Sequence, residues 1–463
     1  MNYPQVVRIY ATSQTPDYDC PWQTRTPVNG TGSGVIIGDN LILTGAHVVT
    51  NATFIQVQKI SDTNKVIARV RTISHDCDLA ILEVTSDTFT RDIEPARIGD
   101  LPNLRDSVSV VGFPVGGEEI SVTEGVVSRL EVQRYEHSHR RILAITVDAA
   151  INEGNSGGPV FMNGEVVGIA FQTLNNAENI GEVVPTPVIK KFLAEAENTS
   201  SHHLPGLGLI TQNLENIRLR SNSGLSDEQS GVLITAVEYG GSAWGHLQPN
   251  DVMMSIAGNS VANNGTIQYR GRFRTSFEAV LGEHAIGESL PLQILREGKV
   301  LDLTVPLHPR KDLVPRHQYD ILPGYVIFAG LVFQPLCLDL LATWDNWWEK
   351  APSEFLHHYH SGIRTEERQE VIILSQVLAD AVNSGYEHLD HESIVAVNGV
   401  MPRTMEHFTE LLFASDNKMV ELSTSRFGTI VFDAKEALEA NARILERYHI
   451  PHERSVNLRA LAA

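Results

Sequence analysis

The first 190 residues alternate short apolar stretches, rich in β-branched side chains, with turns made of Gly, Pro, Asn and Asp. Regular short strands separated by turn residues are typical of a β-barrel or a β-sandwich. The pattern changes at "PTPVIKKFLAEAEN" (185–198), where a proline near the start and helical spacing predict one helix, followed by a linker at 200–205. The predicted strands include "GSGVIIG", "LILTGAHVV", "DLAILEV", "SVSVVGFP", "SVTEGVVSRLEV", "RILAITVD" and "GEVVGIAF".

Length and charge narrow the class of protein. A chain of 463 residues is too long for one hydrophobic core, which predicts two to four domains. The formal charge of −20 disfavours attraction to nucleic acid or to anionic lipid, so neither is expected as a partner. Three cysteines cannot form a disulfide framework, and Cys and His show no metal-ligand spacing. We therefore expect no metal and no cofactor.

No segment has the pattern of a membrane span. The most hydrophobic stretch, "YVIFAGLVFQPLCLDLL" (325–341), is interrupted by Gln334, Pro335 and Asp339, so it is predicted to be buried strand. The N-terminal residues lack a basic stretch followed by an apolar one, which is the pattern of an export signal. We expect a periplasmic or other extracytoplasmic location if a signal was removed, with an intracellular location as the alternative.

A glycine-rich turn surrounds one serine in "DAAINEGNSGGPV" (148–160). Glycine allows positive φ and close approach of the backbone, so Ser156 is predicted to lie on a tight turn whose amide groups are exposed. Such a turn can hold a nucleophile. The alternative is an ordinary hairpin between two apolar strands.

Two upstream residues are candidate partners for Ser156. His47 follows the apolar strand "LILT", and Asp78 stands at the head of another apolar strand. A serine hydroxyl needs a base within hydrogen-bond reach and a third group that fixes the tautomer of the base. Each residue alone is more often structural, but the order His, Asp, Ser on a β-rich pattern predicts a catalytic triad.

The motifs resemble those of a known family. "LTGAHVV", "DLAIL" and "GNSGGPV" are similar to the catalytic motifs of chymotrypsin-fold serine proteases, and "VVGFPVGG" and "SVTEGVVSRLE" resemble the HtrA/Deg branch. The resemblance implies a mainly β fold, with a chymotrypsin-like double β-barrel protease domain (1–198) and the triad in the cleft between its barrels. Glu153 stands at a position where many family members have proline. The loop 131–141 corresponds to one that senses a neighbouring PDZ domain or subunit.

The resemblance also assigns the groups around the nucleophile. Gly154, Asn155 and Ser156 lie where the family builds its oxyanion hole. Ala150 stands where trypsin-like enzymes place the acid of the substrate pocket, and Ile151 and Phe171 are expected to line that pocket. An apolar pocket cannot pair a Lys or Arg side chain, which predicts cleavage after small or medium aliphatic residues.

The rest of the chain contains a diverged repeat that resembles two PDZ-like α+β domains, here called the first module (203–310) and the second module (318–435), followed by a C-terminal helix and tail (436–463). "LGLITQNL" (207–214) recurs as "AGLVFQPL" (329–336). In the first module, Asn250 replaces the usual glycine of the Gly-Asp turn. The second module lacks that turn, so its peptide binding is doubtful. The residues expected to capture a C-terminal peptide by strand addition are Leu207, Gly208, Leu209 and Ile210.

The resemblance predicts an ATP-independent serine endopeptidase that degrades misfolded or unstructured proteins under PDZ control. The arrangement is most similar to the plant-nuclear-type Deg subgroup. The alternative function is an oligomeric chaperone or scaffold that binds peptide C-termini. A homo-oligomer, a trimer or higher assembly, is implied as well. The aromatic segment "TWDNWWEKAPSEFLHHYH" (343–360) is either an assembly surface or a helix packed on its own module.

Overall fold

The computed structural model describes residues 3–60, 62–114, 119–149, 151, 154–173, 180–196, 202–415 and 418–459. The chain divides into two compact units, which are Met1–Ser13 with Pro27–Arg310 and Gln14–Thr26 with Lys311–Ala463. The short segment Gln14–Thr26 therefore groups with the second module, although it lies within the predicted protease domain. The predicted domain boundaries stay predictions.

The first six strands close into a barrel in the order β1-β2-β3-β6-β5-β4. Strand β6 reads "LAILEV" and is buried along almost its whole length, which explains its continuous apolar run. A four-residue helix, α1 (Ala46–Val49), follows β3 directly. The strands are β1 (Val6–Ser13), β2 (Val28–Gly38), β3 (Leu41–Thr44), β4 (Ala52–Lys59), β5 (Val66–Ser74) and β6 (Leu79–Val84).

The next six strands close a second barrel in the order β10-β11-β12-β9-β8-β7. The double-barrel fold predicted from the sequence is confirmed. The predicted helix is also confirmed, as α2 (Thr186–Glu195), with Pro187 in its first turn. The strands are β7 (Ser107–Gly112), β8 (Ser121–Arg134), β9 (Arg141–Val147), β10 (Pro159–Met162), β11 (Glu165–Thr173) and β12 (Gly181–Pro185).

The first module is built on a sheet with the strand order β14-β15-β16-β20-β21, in which β14 is an edge strand. Its helices are α3 (Ile217–Asn222) and a 3-10 helix (Phe277–Glu283). The strands are β13 (Pro205–Gly206), β14 (Leu209–Asn213), β15 (Val232–Val237), β16 (Val252–Ile256), β17 (Asn259–Ser260), β18 (Thr266–Tyr269), β19 (Phe273–Ser276), β20 (Ser289–Arg296), β21 (Lys299–Pro306) and β22 (His308–Pro309).

The second module repeats this sheet with one strand added, in the order β23-β24-β25-β26-β27-β28. Strand β24 occupies the place of β14, so the sequence repeat is a structural repeat, and β23 lies beside it at the edge. The strands are β23 (Val326–Phe328), β24 (Leu331–Pro335), β25 (Ile372–Val377), β26 (Glu392–Val397), β27 (Met419–Thr424) and β28 (Thr429–Asp433). The helices are α4 (Leu338–Leu341), α5 (Trp347–Lys350), α6 (Ser353–Ser361), a 3-10 helix (Ala381–Asn383), α7 (Met405–Leu412), α8 (Ala434–Arg447) and α9 (Val456–Arg459).

The most hydrophobic stretch is only partly strand. Strands β23 and β24 account for its first part, but Leu338–Leu341 is helical, so the prediction of continuous strand was wrong there. The reason is Pro335, which cannot donate to a sheet ladder and ends β24. The leucines that follow are buried against the aromatic helices instead.

The turn before β16 shows why Asn250 can replace glycine. Its φ is +76°, a left-handed conformation that asparagine tolerates better than most residues. The next residue, Asp251, is buried; its carboxylate accepts the amide of Gln248 and two hydrogen bonds from Arg296, at 2.7 and 2.6 Å.

The second module keeps this turn with different residues. His391 has φ of +52°, and the following Glu392 is buried and forms an ion pair with Arg426. The absence of a Gly-Asp sequence therefore does not remove the turn. A left-handed residue followed by a buried, arginine-paired acid is retained.

The aromatic segment packs largely on its own module. Phe355 and Tyr359 of α6 are buried among leucines of α4, and Trp347 contacts Tyr359 edge-on with ring centroids 5.1 Å apart. This packing favours the second of the two interpretations offered above. Trp348, which is 57% exposed, contributes an indole to the surface.

Candidate active site

His47 is carried by α1, immediately after β3. The residue before this helix is Gly45, where an added Cβ would lie 2.9 Å from the ring Nδ1 of His47 and 3.6 Å from Cα of Gly157. A side chain at position 45 would therefore overlap the imidazole ring. Glycine at this position lets the imidazole and the turn at Gly157 both lie beside it.

Asp78 occupies a tight turn between β5 and β6. Its φ is +56°, and its amide donates to the carbonyl of His75 at 3.3 Å. The side chain is 1% exposed. One carboxylate oxygen accepts the backbone amide of His47 at 2.8 Å, and the other accepts the ring Nδ1–H at 2.7 Å. Two bonds to one residue fix both the position of the imidazole and its tautomer.

His47 and Asp78 each shift the pKa of the other. Burial acts to lower the pKa of His47, but the charge of Asp78 and the hydrogen bond to it outweigh burial and raise that pKa above its ordinary value. Burial acts to raise the pKa of Asp78, but the charges of His47 and His137 and the bonds from His47 lower it. Asp78 is thus ionised near neutral pH, and Nε2 of His47 is left as the basic nitrogen.

Ser156 lies on the predicted tight turn. Gly154 and Gly157 have φ of +94° and +78°. A Cβ on Gly157 would lie 2.3 Å from Oγ1 of Thr44 and 2.6 Å from the carbonyl of Ser33, so only glycine fits. Ser33 holds the turn from the other side, because its hydroxyl donates to the Gly154 carbonyl at 2.7 Å and its amide donates to the Ser156 carbonyl at 3.0 Å.

Ser156 and His47 are not joined by a hydrogen bond in the structure as described. Among the residues that the structure describes, Nε2 of His47 has no hydrogen-bond partner. In that same part of the chain, no hydrogen bond is donated by the amides of Gly154 and Ser156. Bonds between nucleophile and base often tighten only when substrate binds. The part of the two amides in an oxyanion hole stays a prediction.

The predicted pocket residues are less accessible. Ala150 and Glu153 lie outside the described residues. Ile151 and Phe171 are both buried, and Phe171 stacks on Tyr135 with ring centroids 4.1 Å apart. Their contact with substrate stays a prediction. Sequence reasoning did not single out Tyr135, whose position in a charged hairpin loop gave no signal of burial.

The first module presents an open strand edge next to the second barrel. Leu207 is buried, Gly208 has φ of +68°, and Leu209 begins β14, on which Ile210 is 42% exposed. A cavity of about 520 Å³ runs beside this edge. It is lined by residues 207–209 and the 3-10 helix, and on the other side by β8 and β9. All four predicted peptide-binding residues thus lie at or beside one sheet edge.

The corresponding edge of the second module is covered. Strand β23 already pairs with β24 in antiparallel register. At the loop between them, the Ala329 amide donates to Oδ1 of Asn441, and its carbonyl accepts from Nδ2 of Asn383. The groups that would capture a peptide strand and its carboxylate are used internally, which supports the expectation of weak peptide binding there.

The comparisons with known proteins agree with this geometry. Residues 32–169 match the trypsin-like peptidase domain family, and residues 314–457 match the PDZ domain family. Among the described residues, no helix is long and apolar enough to cross a membrane.

Similar proteins match over almost the whole chain. Protease Do-like 2, chloroplastic, of Arabidopsis thaliana is 38% identical over 98% of this chain and 75% of its own length. Protease Do-like 4, mitochondrial, of the same plant is 36% identical over 96% of this chain and 84% of its own length. The solved structure of the HtrA-type protease AlgW with a tripeptide is 25% identical with a TM-score of 0.51, and the match covers 66% of this chain and 95% of that one. The chain therefore belongs to the Do-like (Deg/HtrA) family of trypsin-like serine endopeptidases.

Proposed function

We propose that this endopeptidase cleaves unfolded or misfolded proteins without ATP, with Ser156 as nucleophile, His47 as general base and Asp78 as the group that orients the base. The observation that carries the proposal is the pair of hydrogen bonds from the backbone and ring of His47 to the buried Asp78. The serine turn lies against the same short helix, at Gly45. The His47–Asp78 pair thus has the geometry that an orienting acid and its base require.

The chemistry follows from these positions. Nε2 of His47 takes the proton of Ser156 as the hydroxyl oxygen attacks the peptide carbonyl, and the amides of Gly154 and Ser156 hold the resulting oxyanion. The imidazolium then gives its proton to the departing amine, which breaks the peptide bond and leaves an acyl-enzyme. Water, deprotonated by the same nitrogen, hydrolyses the ester and regenerates the serine.

The family membership supports the wider setting of this proposal. We propose that the enzyme acts as a homo-oligomer, a trimer or a higher assembly, which light scattering on the purified protein will test. The extracytoplasmic location also stays a proposal. The relatives named above are chloroplastic and mitochondrial proteins by name.

We expect cleavage after small or medium aliphatic residues. If Ala150 forms the pocket floor, no counter-charge is available for a Lys or Arg side chain, and an unpaired buried cation is costly. Mass-spectrometric mapping of casein fragments should show Val, Ala or Ile before most cut sites. Ser156→Ala protein treated in parallel identifies cuts made by contaminants. A dominant Lys/Arg preference contradicts this assignment of the pocket.

We propose that the edge of β14 captures apolar C-terminal peptides by strand addition, and we expect Gly208→Trp to weaken their binding roughly tenfold or more, which is about 1.4 kcal/mol. The φ of +68° is strained for Trp, and even a Cβ at this position would lie 3.1 Å from Cα of Gly241. Fluorescence anisotropy of a labelled peptide with an apolar C-terminus, in the Ser156→Ala background, gives the Kd.

Gly298→Trp is the matched control for this measurement. Gly298 also has positive φ, at +74°, and no atom lies within 4 Å of the Cβ that would be added. It is exposed in the turn between β20 and β21, away from β14. Unchanged affinity in Gly208→Trp, or equal losses in both variants, would count against peptide capture at this edge.

A further inference from the structure

The segment that leads into the first module lies along the turn that carries Asp78. The amide of His202 donates to the carbonyl of Ile73 at 3.1 Å, at the end of β5. Leu204 is buried in the protease core, in the same apolar cluster as Cys77. Residues 202–204 are therefore not a free linker. They are docked on the protease domain next to the triad aspartate.

Asp76 holds this segment from the triad side. It lies two residues before Asp78 in the same turn, and its Oδ2 accepts the Leu204 amide at 2.7 Å. Arg140 and His203 place nitrogen atoms 3.9 Å from the same oxygen. A backbone amide makes a stronger hydrogen bond to a charged acceptor than to a neutral one. The bond from the Leu204 amide to Asp76 is therefore the main polar contact between the turn and the segment.

Arg140 holds the segment from the other side. Its Nη2 donates to the carbonyls of Leu204 and Pro205, at 3.1 and 2.8 Å. Arg140 directly precedes β9, in the hairpin whose strand β8 also contacts the first module, where the Val132 amide donates to Oγ1 of Thr275 at 2.8 Å. The amide and the carbonyl of Leu204 are thus both held, one by the turn of Asp78 and one by this hairpin.

The predicted peptide-binding residues, 207–210, begin three residues after Leu204. Gly206 is fixed by the hydroxyl of Ser242, which donates to its carbonyl at 2.6 Å, and the Leu207 carbonyl accepts the Ala243 amide at 2.9 Å. Because only residues 205–207 separate Leu204 from Gly208, the two cannot move far independently of each other. A displacement of residues 207–210 therefore shifts the Leu204 amide, and through it Asp76.

We propose that Asp76 is a positioning residue for the triad, which couples occupancy of the β14 edge to the placement of Asp78. The inference rests on the proposed function and adds a direct route from the peptide edge to the triad turn. Asp78 must keep two hydrogen bonds of 2.7 and 2.8 Å to His47. Small displacements of catalytic groups are costly to rate, so a shift of this turn changes kcat.

The first test separates this coupling from a merely structural role. In Asp76→Ala, kcat on a short reporter peptide should fall about fivefold, the low end of typical coupling, with KM within about twofold. The ratio of kcat with and without an apolar C-terminal peptide should differ from one in the wild type and return to one in the variant. Asp76→Asn keeps an oxygen for the Leu204 amide and should recover most of both. Asp87→Ala, at an exposed aspartate beyond β6, is the control.

The second test does not depend on activity. In the Ser156→Ala background, Asp76→Ala should change the Kd of the labelled peptide about threefold or more, because coupling between two sites is reciprocal. Arg140→Met, which releases the segment from its other side, should change it in the same direction. Thermal melts show whether each variant is folded.

The outcomes separate this inference from the proposed function. If the wild type shows no Ser156-dependent cleavage, the proposed function is contradicted. The binding test, which needs no activity, then still shows whether Asp76 is coupled to the β14 edge. An Asp76→Ala enzyme with wild-type kcat, an undiminished peptide response or an unchanged peptide Kd overturns the inference. The inference is also overturned if the kcat of the wild type does not change when the peptide is added.

Discussion

Ser156→Ala should lower the turnover of casein by about a million-fold while the protein stays folded. The hydroxyl is the only group removed, and in the part of the chain that the structure describes its oxygen makes no hydrogen bond. The bond from the Ser33 amide to the Ser156 carbonyl involves backbone only and is kept. The variant should therefore melt at the wild-type temperature, and the loss is one of chemistry.

Initial rates of casein and reporter cleavage, with and without ATP, measure this effect. Ser289→Ala, at an exposed serine of the first module, should retain the wild-type rate. Substantial activity in Ser156→Ala would contradict the assignment of the nucleophile. A folded wild type that binds casein without cutting it would instead leave the alternative function, an oligomeric chaperone or scaffold.

The parts of this protein that sequence predicted are those encoded locally. The glycines around Ser156 are required by positive φ and by contacts as short as 2.3 Å, so the motif itself carries the shape of the turn. The strands of both barrels show in their apolar, β-branched runs. The pairing of His47 with Asp78 followed from residue order and family resemblance, and the structure places them 2.7 Å apart.

Features that depend on distant contacts could not be predicted. Gln14–Thr26 contains many turn-forming residues and looks like an ordinary loop in the sequence. Within the second unit, however, Tyr18 of this segment is buried and its carbonyl accepts Nε2 of Gln334 at 3.0 Å, and the Trp22 ring meets Tyr325 edge-on. No local pattern encodes such pairings, because each half depends on residues some 300 positions away.

The conformation of a turn can be kept when its residues change. The second module was expected to lack the Gly-Asp turn because neither residue is present. His391 nonetheless adopts positive φ. Glu392, paired with Arg426, takes the place that the buried Asp251 has in the first module. The physical requirement is a left-handed residue followed by a compensated buried charge. More than one pair of residues meets it.

Asp78→Asn should lower kcat by about 10⁴-fold, with little loss of stability. Asparagine tolerates the φ of +56° that Asp78 adopts, so the turn can persist. The two groups of His47 that bond to residue 78, its backbone amide and its ring Nδ1, differ in what they require, however. The backbone amide of His47 can only donate, so it takes the single amide oxygen, and the new NH₂ group faces Nδ1. Nδ1 must then accept, which moves the ring proton to Nε2, where it blocks transfer from Ser156.

The pH profile distinguishes this mechanism from simple misfolding. His47 must be neutral to act as base, so kcat/KM rises with pH through its pKa, and in the wild type that rise should be centred above 6.5 because Asp78 raises the pKa. In Asp78→Asn the charge is gone and burial acts alone, so the residual activity should rise at lower pH than in the wild type. Asp87→Asn, an exposed site, should leave both the rate and the profile unchanged. A variant with more than about a tenth of the wild-type rate would show that the carboxylate does not orient the base.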